Sequence, residues 1–400
     1  MIPVEQAQKI IREGIQPLGT ETISLSQALR RVLAETPKAR IAHPAHTVSA
    51  MDGYAVRSDD VPTIPSELTV IGESAAGHPF QGELRKGQAV RIFTGAHVPA
   101  NADTIVLQEN VDREGNKISI REIEPGRHIR PKAQDFAEGD TILMPPLRLS
   151  PRHIGLLSAA DKPWIQVYRK PRVAILSTGD EIVLPGEPRG PNQIVSANGP
   201  ALAAFVAAKG GVPVHLGVVE DDKDALTAIA TAAKDCDLVV TSGGVSVGDK
   251  DLVRTAFGDA GLDVGFHKIA MRPGKPLMFG TLDGTPMLGL PGNPVSALVC
   301  ALLFLGPALD RLLGLPGASP QSHLLTLGAD LSSNGGRQDY MRAVTSRNDD
   351  GTLTVTPIFT QDSSMIGALA NSDALIIRPV NALATKTGEA VPVLLLDGLL

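Results

Sequence analysis

Residues 241–251 read TSGGVSVGDKD and follow the apolar run Leu238 to Val240. An apolar strand that ends on Ser242, Gly243 and Gly244 lets a ligand come close to the backbone. Ser246, Asp249 and Asp251 then add a hydroxyl and two carboxylates within a few residues. Small residues and acids at a strand end suit an anionic ligand accompanied by a cation. Other stretches have the same character. STGDE joins Ser177, Thr178 and Gly179, whose small side chains free backbone N–H groups, to Asp180 and Glu181, and EDD brings Asp221 and Asp222 after a second apolar run. RPGKP places Arg272 and Lys275 around a glycine turn. LPGNP sets Pro291, Gly292, Asn293 and Pro294 in a stiff turn at a helix start. Proline in a first helical turn loses little by lacking an N–H, and the orphan N–H groups there favour an anion. Each stretch alone is also ordinary turn chemistry. Together, at the ends of strands of one sheet, they point to a phosphorylated ligand with a divalent cation. The acids could take a water-rich Mg²⁺ while Lys275 and backbone N–H groups meet phosphate oxygens.

The elements that must position these residues fall into four regimes. Val4, Ala7, Ile10, Ile11 and Ile15 recur at helical spacing. A second helix is expected after Ser24, a plausible N-cap, with Leu25, Ala28, Leu29 and Val32 on one face. From Thr47 to about Glu138, short alternating runs separated by Gly, Pro, Asn and Asp clusters predict a β-rich domain. SAMDGYAVR, TGA at Thr94 and KAQDF at Asp135 are its small-polar turns. Residues 141–168 are mixed and partly helical. From Arg172 the runs RVAILST, PALAAFVAAKGG, PVHLGVV, ALTAIATAAK and DLVVTSGG alternate strand and helix. That alternation predicts a mostly parallel sheet covered by helices on both faces. After Pro316, LLTLGADL, YMRAVTSR, TLTVTPI, ALIIRPV and AVPVLLL are five short strands, enough for a small barrel or sandwich.

Composition narrows the function classes. Four hundred residues exceed one ordinary core, and 43% apolar residues with only 3% aromatic give cores of Ala, Val, Leu and Ile. A net charge of −6 argues against a nucleic-acid binder, so an anionic substrate has to be held by local groups. Cys236 and Cys300 sit in apolar segments and read as buried, reduced thiols. The charged amphipathic start is unlike a signal peptide, and the longest apolar stretch, Ala297 to Leu305, is too short to span a bilayer. A cytoplasmic protein without a membrane partner is expected. Pro44 breaks any helical pairing of His43 with His46, and no Cys or His cluster joins them, so zinc is not expected. The chain has no P-loop, nucleophile elbow or GxGxxG.

SAMDGYAVR, RIFTGAHVP, LSTGDE, TSGGVSVGDKD, RPGKP and LPGNPVS, in this order and spacing, resemble the molybdopterin molybdenumtransferase family, which includes the C-terminal part of gephyrin. The resemblance covers essentially the whole chain. It implies a multidomain α/β plus β protein of four domains. These are an elongated helical domain assembled from 1–46 with 139–171, a β-rich domain 47–138, a three-layer α/β/α molybdopterin-binding domain 172–315, and a C-terminal β-barrel 316–400. It implies insertion of molybdate into adenylylated molybdopterin, with Mg²⁺ assisting, and release of AMP. By motif, Asp52, Thr94 and Asp135 form the β-rich domain's share of the site, and Glu181 and Asp251 are the catalytic acids of the α/β domain. The metal ligands would come from Asp221, Asp222, Asp249 and Asp251. Substrate contacts would come from Ser177, Thr178, Gly179, Ser242, Gly243, Gly244, Ser246, Arg272, Lys275, Pro291, Gly292, Asn293 and Pro294, with Ser364 in the last domain. The family commonly carries lysine where this chain has Arg272; a guanidinium keeps the charge and changes the geometry. The resemblance further implies a homodimer with active sites shared between chains, and as partners the adenylyltransferase that supplies the substrate and the molybdoenzymes that accept the product. Two other functions compete. An adenylyltransferase of molybdopterin is usually the α/β domain alone, whereas β-rich regions flank it here. A non-catalytic scaffold would be free to lose Asp52, Glu181, Asp251 and Lys275, and all four are present.

Overall fold

The run RVAILST forms the strand Arg172–Thr178, buried from Val173 onward because both of its faces are covered. Val173 and Ile175 point into one apolar cluster, with Leu202, Phe205 and Val206 of the helix Asn198–Ala208 and with the helix Val4–Gly14. Ala174 and Leu176 point into a second cluster with Leu226, Ala230 and Phe257. Side chains alternate across a strand, so one strand feeds two cores and the sheet becomes the middle of three layers. The computed structural model describes residues 1–219, 222–233, 235–244, 252–396 and 400. Contacts divide the chain into two units, Met1–Glu21 with Tyr168–Leu400, and Thr22–Val167.

In the first unit the sheet runs Val212–Val219, Arg172–Thr178, Leu238–Ser242, Thr285–Leu290, Met278–Leu282, Leu262–His267. The first four strands are mutually parallel; Met278–Leu282 pairs antiparallel to the fourth, and Leu262–His267 antiparallel to Met278–Leu282 in turn. The next strand in sequence after Arg172–Thr178 lies on one side of it and the following one on the other. Strand order therefore reverses there, which is where open α/β sheets leave a crevice. The apolar helix Pro294–Leu312 is long enough to cross a membrane, but 83% of its apolar window is buried inside the fold. The five expected C-terminal strands form a closed barrel in the order Gln338–Arg347, Leu353–Pro357, His323–Leu327, Ala390–Leu395, Ala374–Arg378, with the last pairing back to the first.

The second unit holds a six-stranded sheet in the order Thr104–Leu107, Gly53–Val56, Gln88–Ile92, Ser66–Ser74, Lys117–Ile120, Val111–Glu114. A four-stranded sheet built on Val32–Leu33 and Leu147–Arg148 accompanies the helix Pro151–Ala159. The helix expected after Ser24 is absent. Leu25–Gln27 is a single 3₁₀ turn, Ser24 makes no side-chain cap bond, and Arg30 has φ 63°, which ends any helical run. Ala28, Val32 and Leu33 are nonetheless fully buried, because the chain turns into a strand that pairs with Leu147–Arg148.

Candidate functional site

Three neighbouring parallel strands end together. Ser177 is in register with Ser242, and Ser242 with Leu290, so Ser177-Thr178-Gly179, Ser242-Gly243-Gly244 and Pro291-Gly292 share one edge of the sheet. They line a cleft of about 780 Å³ with Glu181, Arg272, Lys275, Asn293 and Pro294. The floor is tight. Gly243 has φ +91°, and a Cβ there would lie 2.6 Å from the Thr178 carbonyl oxygen. Thr178 Oγ1 is buried without a hydrogen-bond partner among the described residues. Asn198, which the sequence reasoning missed, ties this edge together: its Nδ2 donates to Ser242 Oγ and to the Gly292 carbonyl, both at 2.7 Å. The signal for it was SANG at 196–199, a cap-like cluster just before a helical run.

The barrel supplies further lining through Arg337, Gln361, Asp362 and Ser363, none of them singled out in the sequence. The buried Arg342 holds that loop: Nη1 donates to the Met365 carbonyl and Nη2 to the Thr360 carbonyl, both at 3.1 Å. Gln361 accepts from the Arg342 N–H and donates back to its carbonyl. Asn293 Nδ2 donates to Ser363 Oγ at 2.8 Å, and the Val295 N–H donates to the Ser363 carbonyl, so the loop rests on the start of the helix Pro294–Leu312. Ser364 does not line the cleft. Its N–H and hydroxyl both donate to Asp362, and these bonds, helped by Arg342, hold the Asp362 carboxyl below its usual range. Three cations line the cleft. Arg272 donates to the buried Asp339 at 2.6 Å while more than half of its side chain stays exposed. Lys275 and Arg337 have no side-chain partner among the described residues.

The acids divide. Glu181 lies at the rim, its carboxylate folded over Gly179, without a partner among the described residues. Asp222 Oδ1 accepts from the Ala225 N–H at 2.8 Å and so caps the helix Lys223–Ala233. Asp221, Ser246, Asp249 and Asp251 lie outside the described residues. Among the described residues no group of three His, Cys, Asp or Glu side chains could hold a metal.

In the second unit Asp52 and Thr94 meet directly. The Thr94 N–H and hydroxyl both donate to Asp52 Oδ1 at 2.8 Å. Those two bonds, with Arg91 contributing, lower the carboxyl's pKa and leave its second oxygen open. Arg91 fixes the strand that follows: Nη1 donates to the Gly53 carbonyl, Nη2 to Gln108, and the guanidinium lies 4.7 Å from the Phe93 ring and 5.2 Å from Tyr54. Asp135 is not with them. Its N–H donates to the His43 carbonyl, at the far end of the antiparallel pair in which Ile129 faces Ser49.

Three family models match the chain in order: "MoeA N-terminal region (domain I and II)" over residues 2–160, "Probable molybdopterin binding domain" over 174–311, and "MoeA C-terminal region (domain IV)" over 325–396. Two crystal structures of the molybdopterin biosynthesis MoeA protein from Pyrococcus horikoshii superpose with a TM-score of 0.84, at 32% and 28% identity, over 99% of this chain and at least 99% of theirs. The molybdopterin molybdenumtransferase of Nostoc is 38% identical over 94% of this chain and 88% of its own length. That of Haemophilus influenzae is 34% identical over 98% of both. With such identity sustained along most of the length of these enzymes, the chain belongs to the molybdopterin molybdenumtransferase family.

Proposed function

We propose that this protein inserts molybdate into adenylylated molybdopterin and releases AMP. Family membership supports a role in molybdenum cofactor biosynthesis. The observation that carries the finer reading is the composition of the cleft. A chain of net charge −6 gathers Arg272, Lys275 and Arg337 around one cavity whose other walls are glycine turns and the hydroxyls of Ser177, Ser242, Ser296 and Ser363. Cations and hydroxyl donors suit tetrahedral oxyanions, and glycine turns let an extended phosphorylated substrate reach the backbone. Molybdate is such an oxyanion, and we assign it to the cationic wall.

A Mg²⁺ ion keeps most of its waters and binds through one or two carboxylates plus substrate phosphates. The unpartnered Glu181 at the rim fits that pattern. The ion would neutralise charge on the phosphoanhydride that is cleaved as AMP leaves. The protein's own part is to hold the two anions close and to keep water from competing for the cations. We further propose a two-fold dimer in which a second copy of the chain contributes Asp52 to the site. The test is incubation with adenylylated molybdopterin, Mg²⁺ and molybdate, following AMP and the molybdenum retained on pterin. Absence of both products would leave the scaffold reading in place.

A further inference from the structure

Ser177 and Ser196 are each 5% exposed, and both line the cleft. Neither hydroxyl has a partner among the described residues. A Cβ on Gly199 would lie 3.4 Å from Ser177 Oγ and 3.5 Å from Ser196 Oγ, so both hydroxyls converge on the first turn of the helix Asn198–Ala208. Gly199 is itself buried, and among the described residues neither its N–H nor that of Asn198 donates to anything. Ala197 provides no side-chain cap. The Asn198 side chain is held by its Nδ2 bonds to Ser242 and Gly292 and makes no cap bond. This edge of the cleft thus collects two hydroxyls and two backbone N–H groups, all able to donate and none donating to another described residue. Buried donors are rarely left unpaired, and a helix start with free N–H groups attracts negative charge.

We infer that Ser177, Ser196 and the N–H groups of Asn198 and Gly199 form a phosphate subsite, distinct from the cationic wall of Arg272, Lys275 and Arg337. It takes a phosphate-ester oxyanion of the substrate through hydrogen bonds alone. The missing side chain at Gly199 is what leaves room for the oxygens. This inference rests on reading the cleft as the substrate site. One cleft then sorts two tetrahedral anions by chemistry, a phosphate at the neutral helix start and the incoming oxyanion at the cations.

The test uses the full chain, inorganic phosphate followed by ³¹P line broadening, and molybdate retention by equilibrium dialysis. Gly199→Ala fills the spot with a methyl group in a helix that alanine favours, and Ser177→Ala/Ser196→Ala removes two hydroxyls that bond to no other described group. Both variants should weaken phosphate binding roughly tenfold or more and leave molybdate retention unchanged. Lys275→Ala and Arg337→Ala should do the reverse. A repeat with AMP identifies the source: weakened AMP binding in the same variants assigns the subsite to the adenylate phosphate, and unchanged AMP binding assigns it to the pterin phosphate. Phosphate affinity equal to wild type in both subsite variants, or no phosphate binding in the wild type, would overturn the inference. Failure of the wild type to retain molybdate would instead count against the proposed function.

Discussion

Replacing Gly243 with alanine should unseat the floor of the cleft, whereas the same change at Gly292 should not. At Gly243 the backbone has φ +91°, a conformation that costs an L-residue about 1–2 kcal/mol. The new Cβ would also sit 2.6 Å from the Thr178 carbonyl oxygen and 3.3 Å from its Oγ1. That backbone cannot yield freely, because Ser177 and Ser242 are paired in the middle of a parallel sheet. Forcing strand ends apart in a packed sheet costs a further 1–3 kcal/mol or so, and the reduced freedom of the unfolded chain returns less than about 1 kcal/mol. A net loss of about 1–5 kcal/mol follows. Gly292 has no positive φ, and among the described residues its new Cβ would meet only the Gly243 Cα, at an ordinary 3.7 Å. Its stability should move by no more than ~0.5 kcal/mol, and the methyl group should act on the substrate instead, slowing AMP release. Fluorescence would watch the wrong transition, since the single tryptophan, Trp164, lies in the other unit. Amide hydrogen exchange on Leu238–Ser242 reads the right one. If Gly243→Ala protected that strand as well as wild type, or Gly292→Ala exposed it equally, the close-approach argument would be wrong.

Lys275→Ala should weaken substrate binding and flatten its dependence on ionic strength, because one charge-assisted contact to an anion is lost; equal affinity at low and high salt would return Lys275 to an ordinary surface turn. If the proposed dimer shares its sites, Asp52→Ala protein mixed with Lys275→Ala protein under subunit exchange, at substrate too dilute for the Lys275→Ala site to bind, should recover about a quarter of wild-type activity, since about half the dimers are mixed and each holds one intact site in two. No recovery on exchange would place each site within one chain. Asp330 accepts from the Lys386 ammonium and from the Thr387 N–H and hydroxyl, which together pull its carboxyl down to about 2. A depressed carboxyl stabilises the fold above its unfolded value of 3.8, and that contribution is lost as pH falls toward 2. Asp330→Asn should therefore flatten the acid limb of barrel stability between about pH 4 and 2, measured by denaturant midpoints; an unchanged limb would mean that the turn opens before it titrates.

What the sequence could disclose followed the range of the interaction involved. Parallel strands carry their C-terminal ends to one edge of a sheet, so a local rule, small residues and acids after each apolar run, was enough to gather Ser177, Ser242, Lys275 and Pro291 at one cleft although they span more than a hundred residues of chain. Arg337 and Ser363 escaped that rule because neither follows an apolar strand run of the α/β sheet. They reach the cleft only because the barrel closes, and because Arg342, buried among carbonyls, shapes the loop that rests on the start of the helix Pro294–Leu312. The stretch after Ser24 failed for a related reason. Its apolar spacing reported burial correctly at Ala28 and Val32, yet Leu29 stays half exposed and the segment turns into a strand. Periodicity over eight residues states which side chains leave water; distant pairing, here with Leu147–Arg148, decides the backbone that takes them there. The same reasoning explains why Ser363 lines the cleft while its neighbour Ser364, the expected contact, does not. Adjacent hydroxyls in a loop are equivalent by type, and only the Asp362 carboxylate, which captures the Ser364 N–H and hydroxyl, turns one away and leaves the other facing the cleft.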